Sequence, residues 1–139
     1  MPVKTDPHVA EGKPELSKIF QDLTGAIDSS GICLFTSFAL GAEDYAELLK
    51  GGTGWDMTGD EVMRIGERVW NLEKLYNIRE GWTPKDDELP KRLTGEPIPK
   101  GPSQGKVSLV PAMLPIYYEK RGWDANGQPK KEKLEELGL

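Results

Sequence analysis

Residues 28–33 read D-S-S-G-I-C and contain the one cysteine of the chain. A carboxylate (Asp28) and a thiol (Cys33) leave the chain five residues apart. A fully extended chain spans at most roughly 17 Å over that length, and a turn less. Two ligands of different chemical type are thus delivered to neighbouring points, an acceptor-only carboxylate and a metal-binding thiolate. Any cofactor held by this sequence is expected here. The plainer reading makes Cys33 a small buried hydrophobe, where free cysteines usually sit, and Asp28 a polar residue at a helix end. On Cys33 alone the plainer reading is favoured. A carboxylate at a helix C-terminus opposes the macrodipole, and that mild cost speaks for a ligand role of Asp28.

Other chemistry-bearing types offer less. His8 is the only histidine and lies in a polar stretch, where solvent exposure is expected. One His and one Cys make no metal site by themselves, and a Ser-His-Asp arrangement would have to use His8. Gly51-Gly52-Thr53-Gly54 lacks the preceding strand and following lysine of a phosphate loop, and reads as a turn. Glu67, Arg68, Asn71 and Glu73 read as a solvated helix face. Arg79 and Arg121 are candidates to reach acidic groups elsewhere in a larger protein. Trp55, Trp70, Trp82 and Trp123 read as core or inter-domain anchors.

The elements that must position residues 28–33 follow from periodicity. Leu16, Ile19, Phe20, Leu23 and Ile27 share one face of a helix over Pro14–Asp28, with Pro14 in its first turn. Ser29-Ser30-Gly31 ends it, Gly31 being free to take positive φ. Ile32–Leu40 is almost wholly apolar, a pattern that fits a strand or a buried helix, and the flanking helices favour a short buried helix. A helix over Ala42–Lys50 follows, with Glu43 and Asp44 at its positive end. Thr58 and Glu61 have capping-box spacing. They open the strongest element, whose stripe Val62, Ile65, Val69, Leu72, Leu75 and Tyr76 runs to about Arg79. Thr83-Pro84 starts a short helix. Leu89–Lys106 is read as a proline- and glycine-rich strap, long for a structureless segment inside a compact fold. A helix over Val110–Arg121 is expected to become regular at Pro115. Asp124–Gly127 is a turn, and Pro129–Leu137 a last helix with Gly138 after it.

Composition sets the outer limits. The 139 residues are 37% hydrophobic and 29% charged, with a net charge of −5, as in a globular protein large enough for one core. Lysines are scattered among acidic neighbours, which argues against nucleic acid. One cysteine excludes a disulfide scaffold and fits a reducing compartment. No apolar run approaches a membrane span of about 20 residues, and Met1–Glu11 has no signal-peptide core. A cytoplasmic location is expected.

Several stretches resemble the C-terminal region of the aldehyde ferredoxin oxidoreductases, the tungsten–pterin enzymes. They are F-Q-D-L-T-G-A-I-D-S-S-G-I-C-L-F-T-S-F (20–38), I-G-E-R-V-W-N-L-E-K-L-Y-N-I-R-E-G (65–81), K-D-D-E-L-P-K-R (85–92), Y-Y-E-K-R-G-W-D (117–124) and the terminal K-L-E-E-L-G-L. The matches keep one order along nearly the whole chain. The resemblance implies an enzyme with tungsten between two pterin dithiolenes and a [4Fe–4S] cluster nearby. Such an enzyme oxidises aldehydes to carboxylic acids and passes electrons to ferredoxin. The family motif D-x-x-G-L-C falls on Asp28–Cys33. By that match Asp28 accepts hydrogen bonds from pterin nitrogens, Gly31 and the Ile32 backbone border the same pterin, and Cys33 ligates cluster iron. Isoleucine replaces the usual leucine, a change a backbone contact survives.

The remaining three cluster cysteines, the second pterin motif and the first domain of the family have no counterpart here. The chain is therefore expected to be a piece: a truncated reading frame, a split-gene subunit or an excised domain. Its partners are the remaining domains or subunit, and ferredoxin once complete. Alone it is expected to hold no tungsten–bis-pterin or [4Fe–4S] cluster and to be inactive. The expected fold is all-α, one unit over residues 1–139 built as an irregular bundle of five or six helices. The other reading is a non-catalytic accessory or decayed module that retains this fold. An excised piece is also expected to expose an apolar face near Ile32–Phe38.

Overall fold

A computed structural model describes residues 6–139. The opening positions of the polar Met1–Glu11 segment lie outside the described residues. Among the described residues the fold is all-α, with six α-helices and no strand. They are α1 (Lys13–Ser30), α2 (Ala42–Thr53), α3 (Gly59–Arg79), α4 (Lys91–Gly95), α5 (Val110–Arg121) and α6 (Lys131–Leu137). Tight 3-10 turns occupy Leu34–Phe38 and Pro84–Asp87, and a single β-bridge joins Trp123 to Pro129. None of the helices among the described residues is long and apolar enough to cross a membrane.

The longest helix, α3, is the spine: α1, α2 and α6 pack against it, and α5 packs on α1. Its start is the predicted capping box. Thr58 Oγ1 accepts the Glu61 N–H at 3.3 Å, and Glu61 Oε2 accepts the Thr58 N–H at 2.7 Å. These bonds satisfy amides that the first turn leaves without partners. The first helix also begins with its proline in the first turn and ends on Gly31 at φ 76°.

The buried face of α1 takes only part of its apolar stripe: Ile27 is in the core and Leu23 packs against it. Ile19 and Phe20 are exposed, whereas Pro14, Asp22, Gly25, Ala26 and Ile27 are buried. The cause is the crossing of α1 over α3 at Gly25 and Gly66, where two side-chain-free positions bring the backbones together. The helices meet along a row of small and polar residues. In α3, likewise, Leu72 and Tyr76 point outward, while Gly66, Asn71 and Lys74 are buried.

The apolar core sits at one end of the bundle. Ala26 and Ile27 from α1, Tyr45 and Ala46 from α2 and Val62 from α3 form it, with Leu23, Ile32, Leu40, Leu49, Met57 and Ile65 around them. Of residues 28–33, Ile32 packs against this core and the others are exposed.

Three expectations are corrected. Ile32–Leu40 is no buried helix: its central residues form the 3-10 turn Leu34–Phe38, none of them buried. An apolar run with no amphipathic period does not fix helix type or burial by itself. Second, α5 runs unbroken from Val110 through Pro115. Pro111 and Pro115 are both exposed, so the carbonyl that lacks an amide partner faces water. Third, the strap contains the single-turn α4 and is tied back on itself. Ile98 N–H donates to the Lys106 carbonyl at 3.0 Å, and Ser108 N–H to the Leu93 carbonyl at 2.8 Å.

Candidate functional site

Asp28, Gly31, Ile32 and Cys33 form one exposed turn at the end of α1. Its conformation is set locally. Gly31 donates its N–H to the Asp28 carbonyl at 3.2 Å and adopts a left-handed φ, which a β-carbon disfavours. Ser29 Oγ donates to the Gly25 carbonyl at 2.7 Å, and Ser30 Oγ to the Ile27 carbonyl at 2.6 Å. Ser30 Oγ also accepts the Ile32 N–H at 3.2 Å. The two serines thereby spend their hydroxyls closing the helix end.

After the glycine the chain is extended, and neighbouring side chains point opposite ways. Ile32 turns inward and packs on the core. Cys33 turns outward and is exposed, contrary to the plain reading of a buried thiol. Asp28 is exposed as well. The carboxylate and the thiol are thus both open to solvent, and the exposed Leu34, Phe35 and Phe38 follow directly in the chain. Phe35 and Phe38 are 76% and 86% exposed, and their rings stack at 5.9 Å.

The donor set fits one edge of a larger centre. No cluster of three or more His, Cys, Asp or Glu side chains is found among the described residues. An outward thiolate can supply one bond to a metal, and an outward carboxylate can accept from a donor-rich ring edge. Neither can enclose a cofactor, and any such centre would need its remaining ligands from polypeptide beyond this turn.

A second polar constellation lies toward the other end of α1. Arg121, at the C-terminus of α5, is fully buried. Its guanidinium donates to Asp22 Oδ1, to Gln21 Oε1 at 2.8 Å and to Tyr117 Oη at 2.9 Å. Lys18 adds a bond to Asp22 Oδ2 at 2.8 Å. Arg121 is thus spent inside the bundle and does not reach outward, correcting the sequence-based expectation. Asn71, expected in solvent, is 0% exposed and accepts Trp123 Nε1–H at 2.8 Å. Glu67 is likewise half-buried, 3.2 Å from Lys18 Nζ. His8 is half-buried and not exposed.

Beside this network a cavity of about 360 Å³ opens between α1, α3 and α5, walled in part by Trp70, Trp82 and Trp123. Lys74 lines it, 3.0 Å from Asp87 Oδ2 and 3.0 Å from the centre of the Trp82 ring. Burial pushes the Lys74 ammonium below the usual lysine range, against the pull of Asp87. Sequence reasoning missed this cluster. Its signal would have been polar residues at 22, 71 and 74 in register with the two helix glycines.

The family described as "Aldehyde ferredoxin oxidoreductase, domains 2 & 3" matches residues 1–139. Among curated relatives, the chain is 51% identical over 140 residues to the tungsten-containing aldehyde ferredoxin oxidoreductase of Pyrococcus furiosus. It is 47% identical to the protein of the same name from Thermococcus kodakarensis. In both cases the match covers 99% of this chain but 23% of the relative, so the chain spans under a quarter of their length. A more distant relative, an aliphatic sulfonate oxidoreductase WOR-like subunit of Pyrococcus furiosus, is 36% identical over 121 residues. In fold, the chain is similar to part of a solved structure, the active site complex BamBC of benzoyl coenzyme A reductase with 1,5-dienoyl-CoA. There the TM-score is 0.76 at 22% identity, covering 99% of this chain and 20% of that one. With a match along its whole length and about half its residues shared with these oxidoreductases, the chain belongs to the aldehyde ferredoxin oxidoreductase family, in the part described as domains 2 and 3.

Proposed function

We propose that this chain is the C-terminal helical part of a tungsten–pterin aldehyde oxidoreductase and supplies one edge of its redox centre. Residues 1–139 act as a single helical unit in this reading. The observation that carries it is the outward presentation of Asp28 and Cys33 on one ordered turn, inside a chain that matches the family throughout. Asp28 accepts from pterin nitrogens, Gly31 and the Ile32 backbone border that pterin, and Cys33 contributes one of four thiolates to a [4Fe–4S] cluster. When bound, these groups supply the oxidation of an aldehyde to a carboxylic acid and the onward passage of two electrons to ferredoxin. The chain's own part is placement: Ile32 anchors the turn in the core, so the thiol and carboxylate keep a fixed spacing.

The exposed Leu34, Phe35 and Phe38 surface extends this edge. It is the face on which the remaining domains or subunit of the parent enzyme seat, and seating there keeps water from the centre. The isolated chain is then catalytically silent and binds neither cluster nor tungsten. A single cysteine supports a reducing, cytoplasmic setting.

The test is co-expression with the upstream part of a relative, anaerobic purification, and iron, tungsten and paramagnetic-resonance analysis. The assembled complex is expected to show a [4Fe–4S] signal that Cys33→Ala weakens or converts to a three-iron form. Asp28→Asn is expected to lower pterin and tungsten content. An unchanged cluster in Cys33→Ala rules out the ligand role of Cys33, whereas no assembly and no metal under any reconstitution supports the non-catalytic module instead.

A further inference from the structure

We propose that Tyr45 and Thr36 are positioning residues for Cys33, forming a hydroxyl relay that pins the cysteine backbone to the hydrophobic core. The inference rests on the reading of Cys33 as a ligand, but the relay is a property of this chain alone.

The geometry is short and closed. Thr36 Oγ1 lies 2.7 Å from the Cys33 carbonyl oxygen and 2.7 Å from Tyr45 Oη. A carbonyl can only accept, so the Thr36 hydroxyl proton goes to Cys33. The Tyr45 hydroxyl must then donate to Thr36 Oγ1. The order is Tyr45 O–H to Thr36 O–H to Cys33 C=O, and each bond polarises the next. Thr36 also gives its N–H to the same carbonyl at 3.0 Å. The Cys33 carbonyl therefore receives two donors from one residue, itself held by a third.

Burial gives the relay its stiffness. Tyr45 is 1% exposed and packs with Ala26, Ile27 and Val62. Its ring is fixed in the core, and its hydroxyl reaches a turn that has no buried residue of its own. Ile32 anchors the cysteine from the preceding side. Without the relay, Cys33 would be held by that neighbour and by a 3-10 turn in which no residue is buried. A ligand that must meet a cluster assembled elsewhere gains from being held in place beforehand.

The sole cysteine allows a direct test on the full chain. A nitroxide attached to Cys33 reports the motion of that residue on the nanosecond scale. The parent chain is expected to give a mostly restricted spectrum. Tyr45→Phe keeps the ring but removes the donor, and Thr36→Val removes the middle of the relay. Both are expected to raise the mobile fraction about fivefold, the ratio one ordinary hydrogen bond carries. Thr36→Ser restores the hydroxyl and should restore the parent spectrum. A merely structural Tyr45 would lower the melting temperature and leave the spectrum unchanged, and that result overturns the proposal. Thr36 lies outside the core, so Thr36→Val reports even where Tyr45→Phe disturbs folding. The ligand reading fails separately: an intact cluster in Cys33→Ala removes it without touching the nitroxide result.

Discussion

The backbone of Asp22 on α1 lies against Gly66 on α3 so closely that a β-carbon at Gly66 would fall 1.6 Å from the Asp22 carbonyl oxygen. No side-chain rotation relieves a clash with backbone, so Gly66→Ala must push the two longest helices apart. The expected cost is about 3 kcal/mol or more, the upper end for an overpacked site. Gly25→Ala is a graded control. Its β-carbon would meet Trp70 Cδ1 at 3.3 Å, tight but movable, and the change is expected within about 1 kcal/mol of the parent. Gly51 sits in α2 with open space around it, so Gly51→Ala should stabilise by about 0.5–1 kcal/mol through helix propensity. Urea midpoints of the three variants check the order. A Gly66→Ala chain as stable as Gly25→Ala would disprove the close crossing.

The same crossing buries Asp22 beside Arg121. Asp22→Asn leaves a fully buried guanidinium without its counter-charge, and Arg121→Met leaves the carboxylate with Lys18 alone. Each is expected to cost about 3–5 kcal/mol, the usual result of stranding one member of a buried pair. The double variant should recover a large part of the summed loss, because neither charge is left orphaned. A double-mutant cycle read by denaturant unfolding measures this. Purely additive losses would mean the two groups do not communicate.

Helix positions were legible in the sequence because their signals are local. Pro14, the Thr58–Glu61 box and Gly138 each act within one turn of themselves. The 28–33 turn was legible for the same reason, with Gly31 marking the left-handed residue. Periodicity is right for Leu23, Ile27, Val62 and Ile65, which lie in or against the core, but it does not fix where each buried face is centred. Periodicity places Ile19, Phe20, Leu72 and Tyr76 inside, but those residues are exposed. The inner face was chosen instead by Gly25 and Gly66, whose closeness depends on two helices some forty residues apart. Arg121 and Asn71 were misjudged for a related reason. A polar side chain is buried only when partners arrive from other elements, and the partners Asp22 and Trp123 are distant in sequence. Leu34, Phe35 and Phe38 were misplaced in the opposite sense, since an apolar run does not say whether its cover lies in the same chain.

That apolar face has a measurable consequence. Phe35 and Phe38 touch mainly each other and solvent, so the Phe35→Ser, Phe38→Ser double variant should change unfolding free energy by under about 0.5 kcal/mol. It should nevertheless lower self-association, since an exposed aromatic pair is a sticky patch. Sedimentation velocity over a concentration series reads this. If the parent chain stays monomeric at high concentration, or the variant associates equally, this face does not drive association.

Alkaline pH should expose the buried phenols. Tyr118 donates to Asp87 Oδ2 at 2.6 Å, and burial followed by this bond holds its proton well above the usual phenol range. Tyr117 is raised too, by burial, with Arg121 opposing. In the unfolded chain a phenol ionises near pH 10, so above that value the unfolded state binds fewer protons than the folded one. Stability from these groups is complete below about pH 10 and is lost as pH climbs toward the folded values. Lys74 acts in the other direction: its lowered value means the unfolded chain holds the extra proton just below pH 10.5, so its contribution rises there. The expected curve is nearly level or slightly rising to about pH 10 and then falls. Tyr118→Phe should be less stable at pH 8, having lost the bond to Asp87, but its alkaline fall should be shallower. Urea midpoints from about pH 8 to about pH 11.5 measure both slopes. Parallel slopes in parent and variant would show that Tyr118 keeps no special hold on its proton.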